Sequence, residues 1–237
     1  MIAVMSDIHG NLPALQAVIE DAESYGVRDY LILGDIVGYG AEPGECIEAL
    51  IKLNAIAVRG NHDHAVIDPD NRYLDRFNES AKDAIYHSKT VLTLEHKIYL
   101  ARLPIFKESN GAHMVHGSMV DPFSYVEGIH DATRSFEKQF LQVCFIGHTH
   151  VPVIYRSANG YVQVLEPTTL FMGSMSKYLI NVGSVGQPRD GDPRACYVLW
   201  DDDMVTYRRV SYDIEKAQQG ILEAGLPSRL ASRLATG

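Results

Sequence analysis

Aspartate, histidine and asparagine gather in five short segments of this chain: Asp7-Ile8-His9-Gly10, Gly34-Asp35-Ile36-Val37-Gly38, Gly60-Asn61-His62-Asp63, His116-Gly117 and Gly147-His148-Thr149-His150. Their side chains offer carboxylate, imidazole and amide donors, the set that holds borderline or hard divalent ions. Asp7 and His9 are two residues apart, so in an extended segment both point to the same side. His148 and His150 repeat that arrangement. A carboxylate has two oxygens and can bridge two ions, and Asp35 is the natural candidate. Asn61 adds only a neutral amide oxygen. Two dications set against Asp7, Asp35 and one hydroxide leave a net positive charge. That balance suits an attacking hydroxide and a phosphate in the two-metal manner. Taken singly, an Asp-x-His triplet, a Gly-Asn turn or a lone His116 is also what turns and cores produce. Five ligand segments in succession are hard to generate that way.

Each segment falls where an apolar run ends, the place where open α/β sheets bind ligands. The runs are Ile2–Met5, Tyr30–Leu33, Ala55–Val58, Ala112–Val115 and Val143–Ile146. Between the first three lie helical patterns. One runs from about Pro13 to Ser24, with Gly26 as its stop, and the other over Glu45–Lys52. Strand and helix alternating at this spacing predict a parallel α/β arrangement. The stretch from about 65 to 103 reads as a helical insertion, with helices over Arg72–His87 and Leu92–Leu103. Beyond it the texture turns to short strands, with further runs at Val153–Tyr155, Tyr161–Leu165, Lys177–Val182, Ala195–Leu199 and Val205–Val210. A helix over Asp213–Ala224 is expected to close the chain. No repeat or low-complexity linker divides the two halves, so a single domain over 1–237 with two packed sheets is expected.

Composition narrows the function classes. Of 237 residues, 46% are hydrophobic and 22% charged, ordinary for a globular chain and not for a disordered or collagenous one. No apolar stretch approaches the ~20 residues of a membrane helix. Met1–Met5 lacks a basic flank and a cleavage site, so it reads as a first strand and not as a leader. The net charge of −9 argues against long nucleic acid as a partner, while leaving room for a small anion in a locally positive site. Three scattered cysteines, Cys46, Cys144 and Cys196, fit buried thiols of a reducing cytoplasm.

In their order and wording, Asp-x-His, Gly-Asp-x-x-Gly, Gly-Asn-His-Asp, a later His-Gly and Gly-His-Thr-His resemble the calcineurin-like metallophosphoesterase superfamily, from Asp7 to His150. Asn181-Val182-Gly183-Ser184-Val185-Gly186-Gln187-Pro188-Arg189 is similar to a glycine-rich segment of its small prokaryotic phosphodiesterase branch. The resemblance implies a four-layer αββα sandwich of two mixed β-sheets flanked by helices. It also implies a dinuclear centre holding Mn²⁺, Fe²⁺/Fe³⁺, Zn²⁺ or Ni²⁺. Asp7, His9, Asp35 and His150 would hold one ion, and Asp35, Asn61, His116 and His148 the other. His62 would contact the phosphate and, as an imidazolium, protonate the leaving oxygen, with Asp63 orienting it. The implied reaction is hydrolysis of a small phosphate ester by a metal-bridged hydroxide.

In the phosphatase branches the second motif reads Gly-Asp-x-Val-Asp-Arg-Gly, and its arginine grips the phosphate. Here Tyr39 stands at the arginine position, which favours a diester over a monoester. Asn11 and Arg189 are candidate substrate contacts, Asn11 against a role as a helix cap and Arg189 against a solvated loop charge. Tyr73, Phe77 and Tyr86 could cap the site or form the insertion's own small core. The alternative function is a catalytically inactive scaffold on the same fold. Such chains damage the Gly-Asn-His or Gly-His-x-His positions, and this one has every ligand type in place. A homo-oligomer is compatible with the sequence, which does not fix the number of subunits.

Overall fold

Strand β1 (Ile2–Met5) shows how the layers arise. In the computed structural model, which describes Met1–Gly237, Ala3 and Met5 pack into one hydrophobic cluster and Val4 into another. Successive strand side chains point to opposite faces, so an unbroken apolar run needs cover on both. Strand β2 (Asp29–Ile32) divides likewise, with Tyr30 and Ile32 on the first side and Leu31 on the second. Helices α1 (Leu12–Ser24) and α2 (Pro43–Lys52) cover the first side through Ala14, Leu15, Val18, Cys46, Ile47 and Leu50. Asn11 caps α1, its Oδ1 accepting the Ala14 N–H at 3.1 Å.

The remaining elements follow in order: β3 (Ile56–Ala57), α3 (Asn61–Ile67), α4 (Glu79–Val91), α5 (Leu94–Arg102), β4 (Phe106–Ser109), β5 (Ala112–Val115), α6 (Ile129–Lys138), β6 (Val143–Ile146), β7 (Val153–Ala158), β8 (Tyr161–Leu165), β9 (Thr169–Phe171), β10 (Lys177–Asn181), β11 (Ala195–Asp201), β12 (Met204–Val210), α7 (Ile214–Glu223) and α8 (Ser228–Arg233). They form two six-stranded sheets, ordered β3-β2-β1-β11-β12-β9 and β4-β5-β6-β10-β7-β8. Both are mixed. β1, β2 and β3 run parallel, as do β5, β6 and β10, and the other pairings are antiparallel. Between the sheets lie Val4, Leu31, Met114, Phe145, Ile180 and Trp200. On the outer face of the second sheet, Ala132 and Phe136 of α6 pack against Cys144, Ile146 and Leu179. The fold is therefore the four-layer αββα sandwich of two mixed sheets.

The two textures of the sequence do not map onto the two sheets. β11 returns to pair antiparallel with β1, Ile2 opposite Trp200 and Val4 opposite Val198. The first sheet is thus half early chain and half late chain. The helical reading also shifts: the expected Arg72–His87 helix is a 3-10 turn at Leu74–Arg76 followed by α4. Asn78 caps that helix, its side chain accepting the Ala81 N–H at 3.1 Å. α7 does not close the chain, because α8 follows it. No helix is long and apolar enough to cross a membrane, and the three cysteines are free and buried.

Candidate metal centre

The carboxyl ends of β1, β2, β3, β5 and β6 converge on one point between the sheets. Asp7 and His9 follow β1, Asp35 follows β2, Asn61 and His62 open α3, His116 follows β5, and His148 and His150 follow β6. All are buried, Asn61 being the most exposed at 8%. Asp7, His9, Asp35, His148 and His150 have φ of 53°, 52°, 51°, 70° and 62°. They occupy the left-handed region, so the expected extended geometry of the Asp-x-His and His-x-His pairs is corrected. The pairs meet because the chain coils, at a backbone cost of order 1 kcal/mol or more per residue. Two close approaches hold these loops. A Cβ on Gly60 would strike the Asp35 carboxylate, and one on Gly147 would strike Ser6 and Asp7.

The glycine-rich segment supports the same point from behind. The Ser184 hydroxyl and the Gly186 N–H both donate to the Asp7 carbonyl, at 2.8 and 2.9 Å. Asn181 Nδ2 donates to the Gly147 carbonyl at 2.7 Å and to Thr149 Oγ1 at 2.9 Å. The His148 N–H donates to Asp7 Oδ2 at 3.0 Å.

Four imidazoles have their outward nitrogens committed to backbone carbonyls. His9 Nδ1 lies 3.0 Å from Val37 O, His116 Nδ1 2.9 Å from Leu33 O and His150 Nδ1 2.6 Å from Gln187 O. His148 Nε2 lies 3.1 Å from Phe123 O. A carbonyl only accepts, so each of these nitrogens carries a proton and the inward nitrogen is the one left for a metal, as a lone pair wherever the ring is neutral. Those inward nitrogens face one another. His9 Nε2 and His150 Nε2 are 3.1 Å apart, and His116 Nε2 and His148 Nδ1 are 3.0 Å apart. Asn61 Oδ1 lies 3.0 Å and Asp35 Oδ2 3.2 Å from His116 Nε2. Asp7 Oδ1, 3.3 Å from His150 Nε2, has no hydrogen-bond partner although buried. Between His9 and His150 and at Asp7 Oδ1, acceptors aimed at acceptors in a dry site are repulsive unless a cation lies between them. The donor set therefore fits metal ions. Asp7, His9 and His150 form one group whose donor atoms lie within 4.8 Å of one another, and Asp35, His116 and His148 form a second. Asn61 joins the second through its contact with His116.

Protonation agrees with this reading at His9, His148 and His150. Burial pushes His148 down to about 3 and His62 down to about 4, and it holds His9 and His150 well below the ordinary value. Neutral imidazoles are the form that binds metal. Burial also disfavours a charged His116, but the Asp35 carboxylate overrides it and lifts that imidazole to about 9. Burial raises Asp7 to about 6. Burial also opposes ionisation of Asp35, yet the His116 charge holds it well below the usual carboxylate range.

The neighbouring residues bring corrections. Asp63 does not orient His62. Its carboxylate accepts the N–H groups of Ile36, Val37 and Gly60 at 2.9, 3.2 and 3.0 Å and so fixes the loop that carries Asp35. In the protein without substrate, burial outweighs the nearby Asp35 charge and lowers the His62 pKa to about 4. His62 Nε2 stands 4.0 Å from Asp35 Oδ2, and its Nδ1 has no partner. With His9 and Asp35 it forms a third close group, so it stands near enough to a metal position to compete for it. Asn11 does not reach the open cavity. Besides capping α1, its amide donates to Gly186 O at 2.9 Å and Tyr212 Oη at 3.3 Å. Arg189 does reach it and sits 5.8 Å from the centre of the Tyr39 ring. The cation absent from the second motif is thus replaced from another segment, and the preference for diesters argued from Tyr39 loses its basis. Arg59 points elsewhere, its Nη1 3.4 Å from Ala101 O.

Above the centre opens a cavity of about 150 Å³ lined by Asp35, Asn61, His62, His148 and His150. Tyr73 and Phe77 wall it, and the Phe77 ring stands 4.8 Å from His62. Tyr86 is half exposed and takes no part. Arg76, Asn78, Phe123 and Tyr125 also line it, and sequence reasoning missed them. Tyr125 stacks on His148 with ring centres 4.0 Å apart. The one available signal was aromatic residues shortly after His116-Gly117.

Comparison with known proteins agrees with this geometry. The model of the calcineurin-like phosphoesterase superfamily domain matches residues 1–203. The crystal structure of a metallophosphoesterase from Sphaerobacter thermophilus superposes with a TM-score of 0.87 at 42% identity, covering 99% of this chain and 98% of that one. An uncharacterized protein of Methanocaldococcus jannaschii is 38% identical over 100% of this chain and 98% of its own. Phosphodiesterase YfcE of Escherichia coli is 25% identical over 85% of this chain and 87% of its own.

Proposed function

The chain belongs to the calcineurin-like phosphoesterase superfamily, and from that premise we propose that it is a dinuclear metal-dependent phosphodiesterase acting on a small phosphate ester. One observation carries the reading: two pairs of buried imidazoles turn their inward nitrogens toward each other at 3.1 and 3.0 Å. Asp7, His9, Asp35 and His150 would hold one ion, and Asp35, Asn61, His116 and His148 the other. Such ions supply Lewis-acid activation of the attacking water and neutralise charge on the phosphoryl oxygens.

The chain's own residues do the rest. The backbone carbonyls of Leu33, Val37, Phe123 and Gln187 fix the ring orientations and keep the protons on the outer nitrogens. Asp63 holds the Asp35 loop in register. His62, neutral before substrate arrives, offers an N–H to a phosphoryl or leaving oxygen. A bound anionic phosphate raises its pKa and lets it pass a proton to the departing alkoxide. Arg189 lines the cavity and pairs with a non-bridging oxygen. Tyr73, Phe77 and Phe123 narrow the entrance and exclude bulk water.

With Arg189 supplying the cation that Tyr39 lacks, the likeness to the Escherichia coli phosphodiesterase is what favours the diester over the monoester. The scaffold alternative predicts a damaged cradle, and all seven donor side chains stand in it. Bis-p-nitrophenyl phosphate and p-nitrophenyl phosphate, each assayed with Mn²⁺, test the reading. Faster release from the diester is expected. Release from neither, with any of Mn²⁺, Fe²⁺, Zn²⁺ or Ni²⁺, would return the chain to a scaffold.

A further inference from the structure

Beside the metal-facing cavity lies a larger one of about 410 Å³, lined by Arg189, Arg229, Arg233, Asn78, Ser80 and Gln187 among others. The two adjoin, since Tyr39, Asn78, Tyr125 and Arg189 line both. No aspartate or glutamate lines the larger space. This is notable in a chain of net charge −9. Four arginines elsewhere pair with carboxylates, Arg72 with Asp70, Arg194 with Asp192, Arg208 with Asp21 and Arg209 with Asp190, whereas others such as Arg59 and Arg76 do not. Arg189, Arg229 and Arg233 have no such partner. Arg189 Nη2 donates to Gln187 Oε1 at 3.0 Å, while its Nε is buried without any acceptor. Arg229 Nε donates to the neutral Ser80 hydroxyl. Partial burial and the neighbouring Arg189 charge pull the Arg233 pKa down, the mark of like charges brought together.

The placement follows from the helix. Leu230 and Leu234, four residues apart, pack with Ala217, Ile221 and Leu226 of the α7 region and Ala84 of α4. Arg229 and Arg233, also four apart, share a neighbouring face and turn to the cavity. Docking the apolar face is what aims the two guanidiniums. Both lie beyond residue 203, where the family match ends. The segment is shared with the Sphaerobacter thermophilus structure, which covers 99% of this chain.

We propose that Arg189, Arg229 and Arg233 form a subsite for a second phosphoryl group, so that the enzyme selects esters carrying a phosphate besides the one it cleaves. This rests on the phosphoesterase reading above and narrows its substrate class. Unpaired guanidiniums converging on one space recognise a multiply charged oxyanion through forked, charge-assisted hydrogen bonds. Arg189 belongs to both cavities and joins the two phosphates.

A chromogenic pair tests it: thymidine 5′-(p-nitrophenyl phosphate) and the same compound with a 3′-phosphate. The wild type should favour the 3′-phosphorylated ester in kcat/KM by about tenfold or more, the value of one to two charge-assisted contacts, mainly through KM. In Arg229→Ala/Arg233→Ala the ratio should fall toward one, and in Arg229→Lys/Arg233→Lys it should stay between the two. A wild-type ratio near one, or a ratio that survives the alanine pair, overturns the subsite. Isothermal titration with thymidine 3′,5′-bisphosphate and thymidine 5′-monophosphate separates this from the catalytic reading. Preferential binding of the bisphosphate, lost in the alanine pair, supports the subsite even if no ester is turned over. Equal affinity for the two nucleotides overturns it even if turnover is fast.

Discussion

His148 and Tyr125 stack at 4.0 Å, yet they belong to regions built by different means. His148 is part of the cavity floor, made of strand-end residues whose rings are pinned by backbone carbonyls and whose backbones are coiled into the left-handed region. Tyr125 belongs to the wall, made of loops and helices that bring aromatic and cationic side chains from Tyr39, Tyr73–Asn78, Phe123–Tyr125, Arg189 and α8. The floor is buried and over-determined, so a change there breaks function outright. The wall is partly open and adjustable, so a change there alters which ester is accepted. On the proposed reading, reaction type and substrate choice are separated in space.

The largest effect is expected at the floor. Asp35→Ala removes the carboxylate 3.2 Å from His116 and 3.7 Å from His9. Turnover should fall beyond the ~10²–10³-fold that one lost electrostatic contact costs. Metal analysis should show both ions depleted, and more so than in Asp7→Ala. Loss of one ion with the other position full would deny Asp35 a bridging role.

His62 lies between floor and wall and should show an intermediate effect. His62→Gln should lower kcat by ~10²-fold or more, the usual share of a positioned acid. The loss should be larger for alkyl esters than for p-nitrophenyl esters, whose leaving group needs little protonation, and metal content should be unchanged. A His62→Gln protein that has lost an ion would make His62 a ligand, the role its nearness to His9 and Asp35 allows.

At the wall, Arg189→Ala should raise KM by about tenfold and change kcat less, in keeping with one charge-assisted contact. A fall in kcat with KM unchanged would move Arg189 from binding to transition-state stabilisation.

The smallest effect concerns pH. Asp35 lifts His116 from an ordinary 6.5 to about 9. A raised folded-state pKa adds stability that is complete below pH 6.5 and lost as pH climbs to about 9. Melting of the metal-free protein should therefore drop in temperature between pH 7 and 9. Bound metal replaces the His116 proton and should flatten the profile. A flat profile without metal would place the proton elsewhere.

The same contrast explains what the sequence revealed. β5, β6 and β8 were legible to the residue, because apolar runs stop sharply at polar turns. The floor was legible because its donors follow those stops. α6 was missed because only Ala132, Ser135 and Phe136 of its ten residues are buried, too few to set a helical rhythm. β4 and β9 are edge strands with Phe106 and Phe171 exposed, so neither shows a buried face. α3 was missed because Gly60-Asn61-His62-Asp63 reads as a metal motif, and it is also a helix start with Asp63 bonded back to the Gly60 N–H. Tyr73, Phe77 and Arg189 were read as candidates, but the wall as a whole stayed hidden for a topological reason. Tyr39, Asn78, Tyr125, Arg189 and Arg233 come from five distant segments, and no spacing rule joins them.

On the proposed reading the facing imidazoles hold two ions. The most direct test titrates Mn²⁺ into exhaustively chelated protein while bound metal per chain and hydrolysis of bis-p-nitrophenyl phosphate are followed together. Negligible turnover without metal, rising to a plateau as occupancy reaches about two ions per chain, is the predicted result. Full turnover by the chelated protein, or a plateau reached at one ion, would contradict it.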